Sequence, residues 1–264
     1  MIIDCHTHTL YPSVPGGAGD LVEACEKLDG CIVLAVPNEK GSSVANKQLS
    51  GYVSGRITKM YGFALVNPLC DSVTLKSIAA IRDDMLLKGL VLYCCGQGFH
   101  PAHSRAMRVY EAAEELSLPI FFHNGPPLEP DAVLDYAQPF QLDEIARKFK
   151  SLKMVIGNMG VPFVEQTVCM VSKHQNVYAD LTISPSRVWQ LYNIVISASQ
   201  HNVMEKLLFG SGFPSGNAGA CMEALLGFNR LLADTNLPTV PRGNIRSIIE
   251  RNTLHVLGIK TDGG

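Results

Sequence analysis

Short apolar segments rich in β-branched and aromatic residues recur along this chain of 264 residues at intervals of about 30 positions. Their centres lie near Ile3, Val33, Phe63, Val91, Phe121, Val155, Tyr178 and Leu208. The segment Cys31-Ile32-Val33-Leu34-Ala35-Val36 is apolar without alternation, which is typical of a parallel strand buried on both faces. The stretches between these segments carry apolar residues at helical spacing. Eight strands that alternate with helices predict an α/β fold, the (βα)8 or TIM barrel.

A doubly wound open sheet would show the same alternation of strands and helices. The count of eight and the lack of a glycine-rich dinucleotide turn after the first strand both favour the barrel. The sequence contains no low-complexity segment, no linker and no block of like charges. Residues 1–264 are therefore predicted to form a single domain, with residues 244–257 as one outer helix.

The charge and composition of the chain exclude several classes of partner. The net charge is −2 and the basic and acidic residues are interspersed, so neither nucleic acid nor a membrane surface is an expected partner. No apolar run approaches the length needed to cross a bilayer, and strand-type residues follow Met1 directly, so a cytoplasmic location is expected. The eight cysteines lie in apolar segments, which is typical of reduced, buried thiols. Self-association into a homo-oligomer stays open.

The first strand ends in two histidines separated by one residue. Because successive side chains of a strand point to opposite faces, Asp4, His6 and His8 are expected on one face, where both imidazoles can reach a single metal ion. Asp4 is expected to orient one of these imidazoles from behind. The alternative is a pair of exposed histidines in an unstructured leader, which the preceding apolar strand disfavours.

His123 follows the fifth apolar segment directly. Since the carboxyl ends of all strands of a parallel barrel meet at one mouth, His123 is expected beside His6 and His8. Three imidazoles can hold one divalent metal ion, with zinc the expected ion, and leave a position open for water. A purely structural role for a histidine at a strand end is the alternative.

Other polar residues near the predicted mouth are candidates for substrate contact or proton transfer. Asn124 and Ser211 follow the fifth and eighth strands and are candidates for binding a small-molecule substrate. His100 lies in the loop after the fourth strand, where a surface histidine is the alternative to substrate contact. Asp180 is a candidate catalytic acid, although solvated loop carboxylates are more common.

Several motifs occur in the order in which they occur in the amidohydrolase superfamily. They are Ile2-Ile3-Asp4-Cys5-His6-Thr7-His8, Lys88-Gly89-Leu90, Pro119-Ile120-Phe121-Phe122-His123-Asn124-Gly125, Gly157-Asn158-Met159-Gly160, Leu208-Phe209-Gly210-Ser211-Gly212-Phe213-Pro214 and the segment 250–259. The chain resembles the "amidohydrolase 2" branch of that superfamily, which includes aminocarboxymuconate semialdehyde decarboxylase. The resemblance runs end to end, and it implies a (βα)8 barrel with His6, His8 and His123 as metal ligands.

Two positions depart from the pattern of that branch. Asn158 stands where the branch usually has a histidine, and Gly212 stands where it has an aspartate that contacts the metal and handles a proton. Asn158 can hydrogen-bond substrate or water, so it is a candidate for substrate binding and catalysis, but it cannot shuttle a proton near neutral pH. Glycine at position 212 can neither contact the metal nor accept a proton, so weak or absent metal binding is expected. Gly212→Asp, alone or with Asn158→His, is expected to strengthen metal binding. Some branches of the superfamily have a lysine in the fourth strand that bridges two metal ions. This chain has Val91 at that position, so the resemblance implies a single metal ion.

Cys94 and Cys95 lie where the fourth strand opens into the mouth, so either thiolate is an alternative fourth ligand, although buried cysteines more often serve packing. Two functions stay open. One is a metal-dependent hydrolase or decarboxylase that acts on a C–N, ester, lactone or carboxylate group of a small molecule. The other is a catalytically inactive barrel that retains a small-molecule binding site.

Overall fold

Eight parallel strands follow one another around the sheet in the order of the sequence. The computed structural model describes residues 1–9, 21–55, 59–125 and 130–260. The strands are β1 Ile3–Thr7, β2 Gly30–Leu34, β3 Met60–Leu65, β4 Gly89–Leu92, β5 Ile120–Phe122, β6 Met154–Ile156, β7 Val177–Thr182 and β8 Leu207–Gly210. Each predicted centre lies inside one of these strands. The prediction of a TIM barrel is confirmed.

The barrel closes where the end of β1 meets the turn after β8. Thr7 forms an isolated parallel bridge with Phe213. The backbone N–H of His8 donates to the carbonyl oxygen of Phe213 at 2.9 Å, and the N–H of Gly212 donates to the carbonyl oxygen of His6 at 2.9 Å. This seam between the first and last strands therefore lies at the carboxyl ends of the strands, beside two of the predicted ligands.

Helices alternate with the strands and bury their apolar faces against the barrel. Their bounds are α1 Leu21–Ala24, α2 Ser42–Ser54, α3 Leu75–Asp83, α4 Ser104–Glu115, α5 Asp143–Lys148, α6 Val164–Lys173, α7 Val188–Gln200, α8 Ala218–Leu226, α9 Arg242–Ile249 and α10 Thr253–Val256. The single outer helix predicted for residues 244–257 is wrong. The helix α9 ends at Ile249, and a separate short helix, α10, begins at Thr253. Asn252 caps α10, because its side-chain oxygen accepts a hydrogen bond from the N–H of His255 at 3.1 Å.

Apolar side chains fill the barrel beneath the mouth. Nearly every residue of the eight strands is buried, as expected for parallel strands covered on both faces. All eight cysteines are free thiols, and only Cys70 and Cys169 are exposed. Within the described parts of the chain, no helix combines the length and the apolar character that crossing a lipid bilayer requires.

Candidate metal centre

The structure brings the three predicted histidines together at the mouth of the barrel. His6 and His8 come from the end of β1, and His123 directly follows β5. The ring centroids lie 5.2 Å apart for His6 and His8, 4.9 Å for His6 and His123, and 5.3 Å for His8 and His123. One nitrogen of each ring lies within 4.8 Å of the others, and all three residues are buried. The spacing allows one ion to contact all three rings.

Hydrogen bonds fix the rings of His6 and His8. Nδ1 of His6 lies 2.6 Å from Oδ2 of Asp180, and Nδ1 of His8 lies 3.1 Å from the carbonyl oxygen of Leu34. A backbone carbonyl only accepts, so Nδ1 of His8 carries the proton. With Nδ1 engaged in both residues, Nε2 is the candidate ligand atom of each. A ligand histidine commonly donates its other N–H to a carboxylate or carbonyl in this way.

Tyr93 supports the third histidine. Its ring stacks on that of His123 with a centroid distance of 4.6 Å and an interplanar angle of 29°. The hydroxyl of Tyr93 donates to the carbonyl oxygen of Ala35 at 3.0 Å, which fixes the ring. From the sequence, Tyr93 is expected at the mouth because it directly follows the fourth strand, but the sequence assigns it no role there.

Burial keeps two of the imidazoles neutral. Desolvation, reinforced by the neighbouring His6, lowers the pKa of His8 to about 3. The same causes, with His8 added, hold the pKa of His123 well below its usual range. A neutral imidazole offers a lone pair, which a metal ligand requires. The three residues therefore fit one divalent ion, and three imidazoles suit zinc and other first-row transition metals.

Asp180 lies behind His6 and is completely buried. Besides its contact with His6, its Oδ2 accepts from the hydroxyl of Thr182 at 2.6 Å and from the backbone N–H of Asn158 at 3.0 Å. The Sγ of Cys5 lies 3.6 Å from Oδ1. The hydroxyl oxygen of Thr182 also lies 2.8 Å from Nδ1 of His6. Asp180 and Thr182 are two residues apart on β7, and this strand spacing was the signal that could have identified Thr182.

Asp4 has a different role from the one expected. Its Oδ1 accepts the backbone N–H of His6 at 3.1 Å and that of Ser211 at 3.0 Å. The expectation that Asp4 orients an imidazole is therefore wrong, because the carboxylate that contacts the ring of His6 is Asp180. Asp4 instead ties the backbone of β1 to the turn after β8. Burial raises the pKa of Asp4 to about 6, and hydrogen bonds from Ser211 and His6 oppose that shift.

The chain turns sharply after β6. Asn158 and Met159 both have left-handed backbones, each with a φ of 51°. The side chain of Asn158 packs against Gly125, where an added Cβ would overlap its Nδ2. Its Oδ1 is buried and has no hydrogen-bond partner among the described residues. This acceptor is available to a ligand that carries an N–H or O–H group.

The other predicted substrate contacts are hydrogen-bonded within the protein. Oδ1 of Asn124 accepts the N–H of Cys95 at 3.2 Å. The hydroxyl of Ser211, which is buried, accepts the N–H of Phe213 at 3.2 Å. Both residues lie at the mouth, and both side chains stabilise the loops around it. Their contact with substrate stays a prediction.

His100 has contacts at both ring nitrogens. Nδ1 accepts the backbone N–H of Ala102 at 3.0 Å, and Nε2 lies 3.0 Å from Oε1 of Gln141. The ring therefore connects the loop after β4 to the segment before α5. The cluster of donor atoms within 4.8 Å contains the three histidines, and neither Cys94 nor Cys95 is part of it. Burial raises the pKa of both thiols, which disfavours the thiolate that a metal requires.

Gly212 lies on the seam of the barrel with a left-handed backbone, at a φ of 67°. A Cβ at this position would lie 2.8 Å from Cγ2 of Thr182. The methyl group of Thr182 therefore occupies space that a side chain at position 212 would need. A residue with a side chain at position 212 would therefore require Thr182 to move or to be replaced.

The sequence matches a family model described as Amidohydrolase over residues 3–259. A comparison with curated protein sequences gives no significant match.

Three solved structures share the fold over nearly their whole length. A 5-carboxyvanillate decarboxylase from Sphingomonas paucimobilis is 12% identical, with a TM-score of 0.69 and coverage of 98% of this chain and 99% of that one. A probable 2-pyrone-4,6-dicarboxylic acid hydrolase from Acinetobacter baumannii, with citric acid bound, is 14% identical, with a TM-score of 0.67 and coverage of 98% and 99%. A dihydroxybenzoic acid decarboxylase from a Polaromonas species, with bound manganese and 2-nitroresorcinol, is 14% identical, with a TM-score of 0.68 and coverage of 97% and 96%.

Proposed function

The chain belongs to the amidohydrolase family, and we propose that it is a metal-dependent hydrolase or non-oxidative decarboxylase with a single divalent ion. The substrate is a small molecule in which a C–N bond, an ester or lactone, or a carboxylate reacts. The neighbouring structures named as hydrolase and decarboxylases support this range of reactions.

One observation carries the proposal: three buried histidines present one ring nitrogen each within 4.8 Å of one another at the catalytic end of a TIM barrel. We assign His6, His8 and His123 as the ligands and zinc as the ion, while the manganese in one neighbouring structure makes that ion the second choice. A divalent ion held by these three residues would lower the pKa of a water molecule or polarise a carbonyl or carboxylate of the substrate.

The protein's own residues would hold the ligands and orient the substrate. Asp180 and Thr182 fix the ring of His6, so Asp180 is a positioning residue in this proposal. Asn158 contacts the substrate through its unpartnered Oδ1, which accepts a hydrogen bond from an N–H or O–H group. The carboxylate of Asp180 also anchors the backbone of Asn158, so one residue orients both a ligand and a substrate contact.

A catalytically inactive barrel that still binds a small molecule is the second candidate. Gly212 is the observation that favours it, because glycine supplies no carboxylate to accept a proton from water. A cytoplasmic location and homo-oligomer formation remain predictions under either function.

Metal binding and turnover can be measured on the same preparations. We expect the wild type, stripped with chelator and titrated with zinc, to bind one equivalent, and His8→Ala to bind at least about tenfold more weakly. His255→Ala is the matched control, since His255 is exposed on α10, and it should behave as the wild type. Lack of zinc and manganese binding by the wild type would contradict the metal-dependent proposal.

Activity is then assayed with p-nitrophenyl acetate, a γ-lactone, an N-acetyl amino acid and 2,6-dihydroxybenzoate, each with zinc or manganese. Turnover that is lost in His8→Ala and kept in His255→Ala supports the enzyme. Metal binding without turnover on the whole panel supports the inactive barrel. Turnover that is equal with and without metal would contradict the assigned role of the histidines.

A further inference from the structure

A cavity of about 550 Å³ lies between the carboxyl end of β2 and the helix α2. We call it the β2 pocket. Its floor is apolar and includes the buried side chains of Ala35, Ala45 and Leu49. Thr9, Asn38 and Gln48 add neutral polar groups to the lining. Its volume is in the range of pockets that bind small organic molecules.

The β2 pocket adjoins the histidine cluster through two chains of contacts. Ala35 directly follows Leu34, whose carbonyl oxygen lies 3.1 Å from Nδ1 of His8. The carbonyl oxygen of Ala35 itself accepts the hydroxyl of Tyr93, and the ring of Tyr93 stacks on His123. Thr9 follows His8 in the sequence. A molecule in the β2 pocket therefore lies beside residues that hold two of the three imidazoles.

The helical wall of the β2 pocket is fixed to the barrel. Asn46 of α2 is buried, and its amide makes two hydrogen bonds with the backbone of Leu65 at the end of β3. Nδ2 donates to the carbonyl oxygen at 2.8 Å, and Oδ1 accepts the N–H at 2.7 Å. The neighbouring Ala45 is thereby held in place. A pocket with fixed walls loses little conformational entropy when a ligand binds.

No charged side chain lines the β2 pocket among the residues that the structure describes. An ionised group placed on its apolar floor would lose hydration without gaining a counter-charge, whereas a neutral polar group can pair with the amides of Asn38 and Gln48. We propose that the β2 pocket recognises the uncharged, non-reacting part of the substrate, an aromatic ring or short aliphatic chain that bears a neutral hydrogen-bonding group. This inference rests on the proposed function only in assuming that the reacting part of the substrate binds at the histidine cluster.

Benzamide and benzoate provide a test, because they have the same shape and differ in charge. Binding is measured by ligand-observed NMR on protein stripped with chelator, so that a carboxylate cannot bind metal and the result does not depend on activity. For the wild type we expect a Kd for benzamide about tenfold lower than that for benzoate. Gln48→Lys places a cation at the rim and should reverse this preference.

Ser54→Lys adds the same charge to the exposed end of α2, outside the β2 pocket, and should leave the preference unchanged. Ala45→Phe fills the floor and should remove binding of both probes. Equal or tighter binding of benzoate by the wild type, no binding of either probe, or an unchanged preference in Gln48→Lys would each overturn the proposal. A failure of zinc binding would affect only the proposed function.

Discussion

Nδ1 of His6 and Oδ2 of Asp180 lie 2.6 Å apart, although 174 positions separate the two residues in the sequence. Both are almost completely buried. A carboxylate in this position fixes the orientation of the imidazole and raises the basicity of its other nitrogen. The affinity for a metal ion should therefore depend on Asp180, which does not itself belong to the cluster of ligand atoms.

Asp180→Asn should weaken zinc binding about 10- to 100-fold while the fold is retained. The amide keeps the size of the carboxylate and loses the negative charge behind His6. Asp143→Asn is the matched control, since Asp143 also contacts a histidine, His174, at 2.8 Å but lies on the outer surface. Isothermal titration with zinc measures both variants. Equal affinities for wild type and Asp180→Asn would remove Asp180 from the site.

Gly212→Asp alone should lower the free energy of unfolding by about 1–3 kcal/mol, because the left-handed backbone disfavours a side chain and Cγ2 of Thr182 obstructs it. This replaces the simpler expectation that the aspartate can be restored in one step. Thr182→Ser removes the methyl group and keeps the hydroxyl that contacts His6. The double variant should bind zinc more tightly than Thr182→Ser alone. Urea unfolding measures the stability of Gly212→Asp, and zinc titration compares the double variant with Thr182→Ser. If Gly212→Asp is as stable as the wild type, the expected steric conflict with Thr182 is refuted.

Gly125→Ala should displace the side chain of Asn158, because the added Cβ overlaps its Nδ2. We expect a loss of about 1–3 kcal/mol of unfolding free energy. In Gly125→Ala/Asn158→Ala the amide group is gone and only the Cβ of residue 158 remains close, at 2.9 Å, so the two changes should couple by at least about 1 kcal/mol in a double-mutant cycle. Additive effects would show that the two residues do not pack together. The same overlap argues against Asn158→His, which would place a larger ring against Gly125.

The stability of the metal-free protein should fall as the pH drops below about 6.5. The unfolded chain protonates its histidines near that pH, while His8, with a pKa of about 3, and His123 stay neutral in the folded state, so the unfolded state binds more protons. Asp4 opposes this between about pH 6 and its ordinary value of 3.8, since its folded pKa is raised. Near pH 5, His8, His123 and Asp4 together should make the unfolded state bind about one proton more than the folded state. The free energy of unfolding should then change by ~1.4 kcal/mol per pH unit.

His8→Gln should remove about one proton from that slope. Urea unfolding at several pH values in the presence of chelator measures it. His255→Ala, which changes an exposed histidine, should retain the wild-type slope. If His8→Gln also retains it, the burial of a neutral His8 in the folded state is refuted.

The strands and the meeting of the three histidines could be predicted from the sequence because both follow from period and topology. An apolar segment about every 30 residues predicts eight strands that alternate with helices, which form a barrel. In a parallel barrel the carboxyl ends of β5 and β1 lie at the same mouth. The side-chain contacts could not be predicted in the same way. Asp4 and Asp180 both lie on strands near His6, and only the rotamers and the packing decide which carboxylate reaches its ring.

The backbone conformation of Asn158 and the boundary between α9 and α10 could not be predicted from the sequence pattern either. The left-handed conformation of Asn158 depends on its hydrogen bond to Asp180 and its packing against Gly125, both of which are tertiary. The break between α9 and α10 depends on the cap formed by Asn252, which an apolar period does not reveal. The stacking of Tyr93 on His123 could not be predicted, because a stacked aromatic ring leaves no characteristic spacing in the sequence.

The seam between His6 and Gly212 has a consequence for the order in which the molecule assembles. Since the barrel closes through contacts between the first strand and the turn after the last strand, the loop-closure entropy for this step is among the largest in the fold. A nascent chain that has not yet emerged beyond β7 already contains every proposed ligand together with Asp180, yet it has nothing to hold the mouth end of β1 from the other side. Under the proposed function, a chain truncated after β7 should therefore bind zinc more weakly than the full chain, although it contains all three histidines.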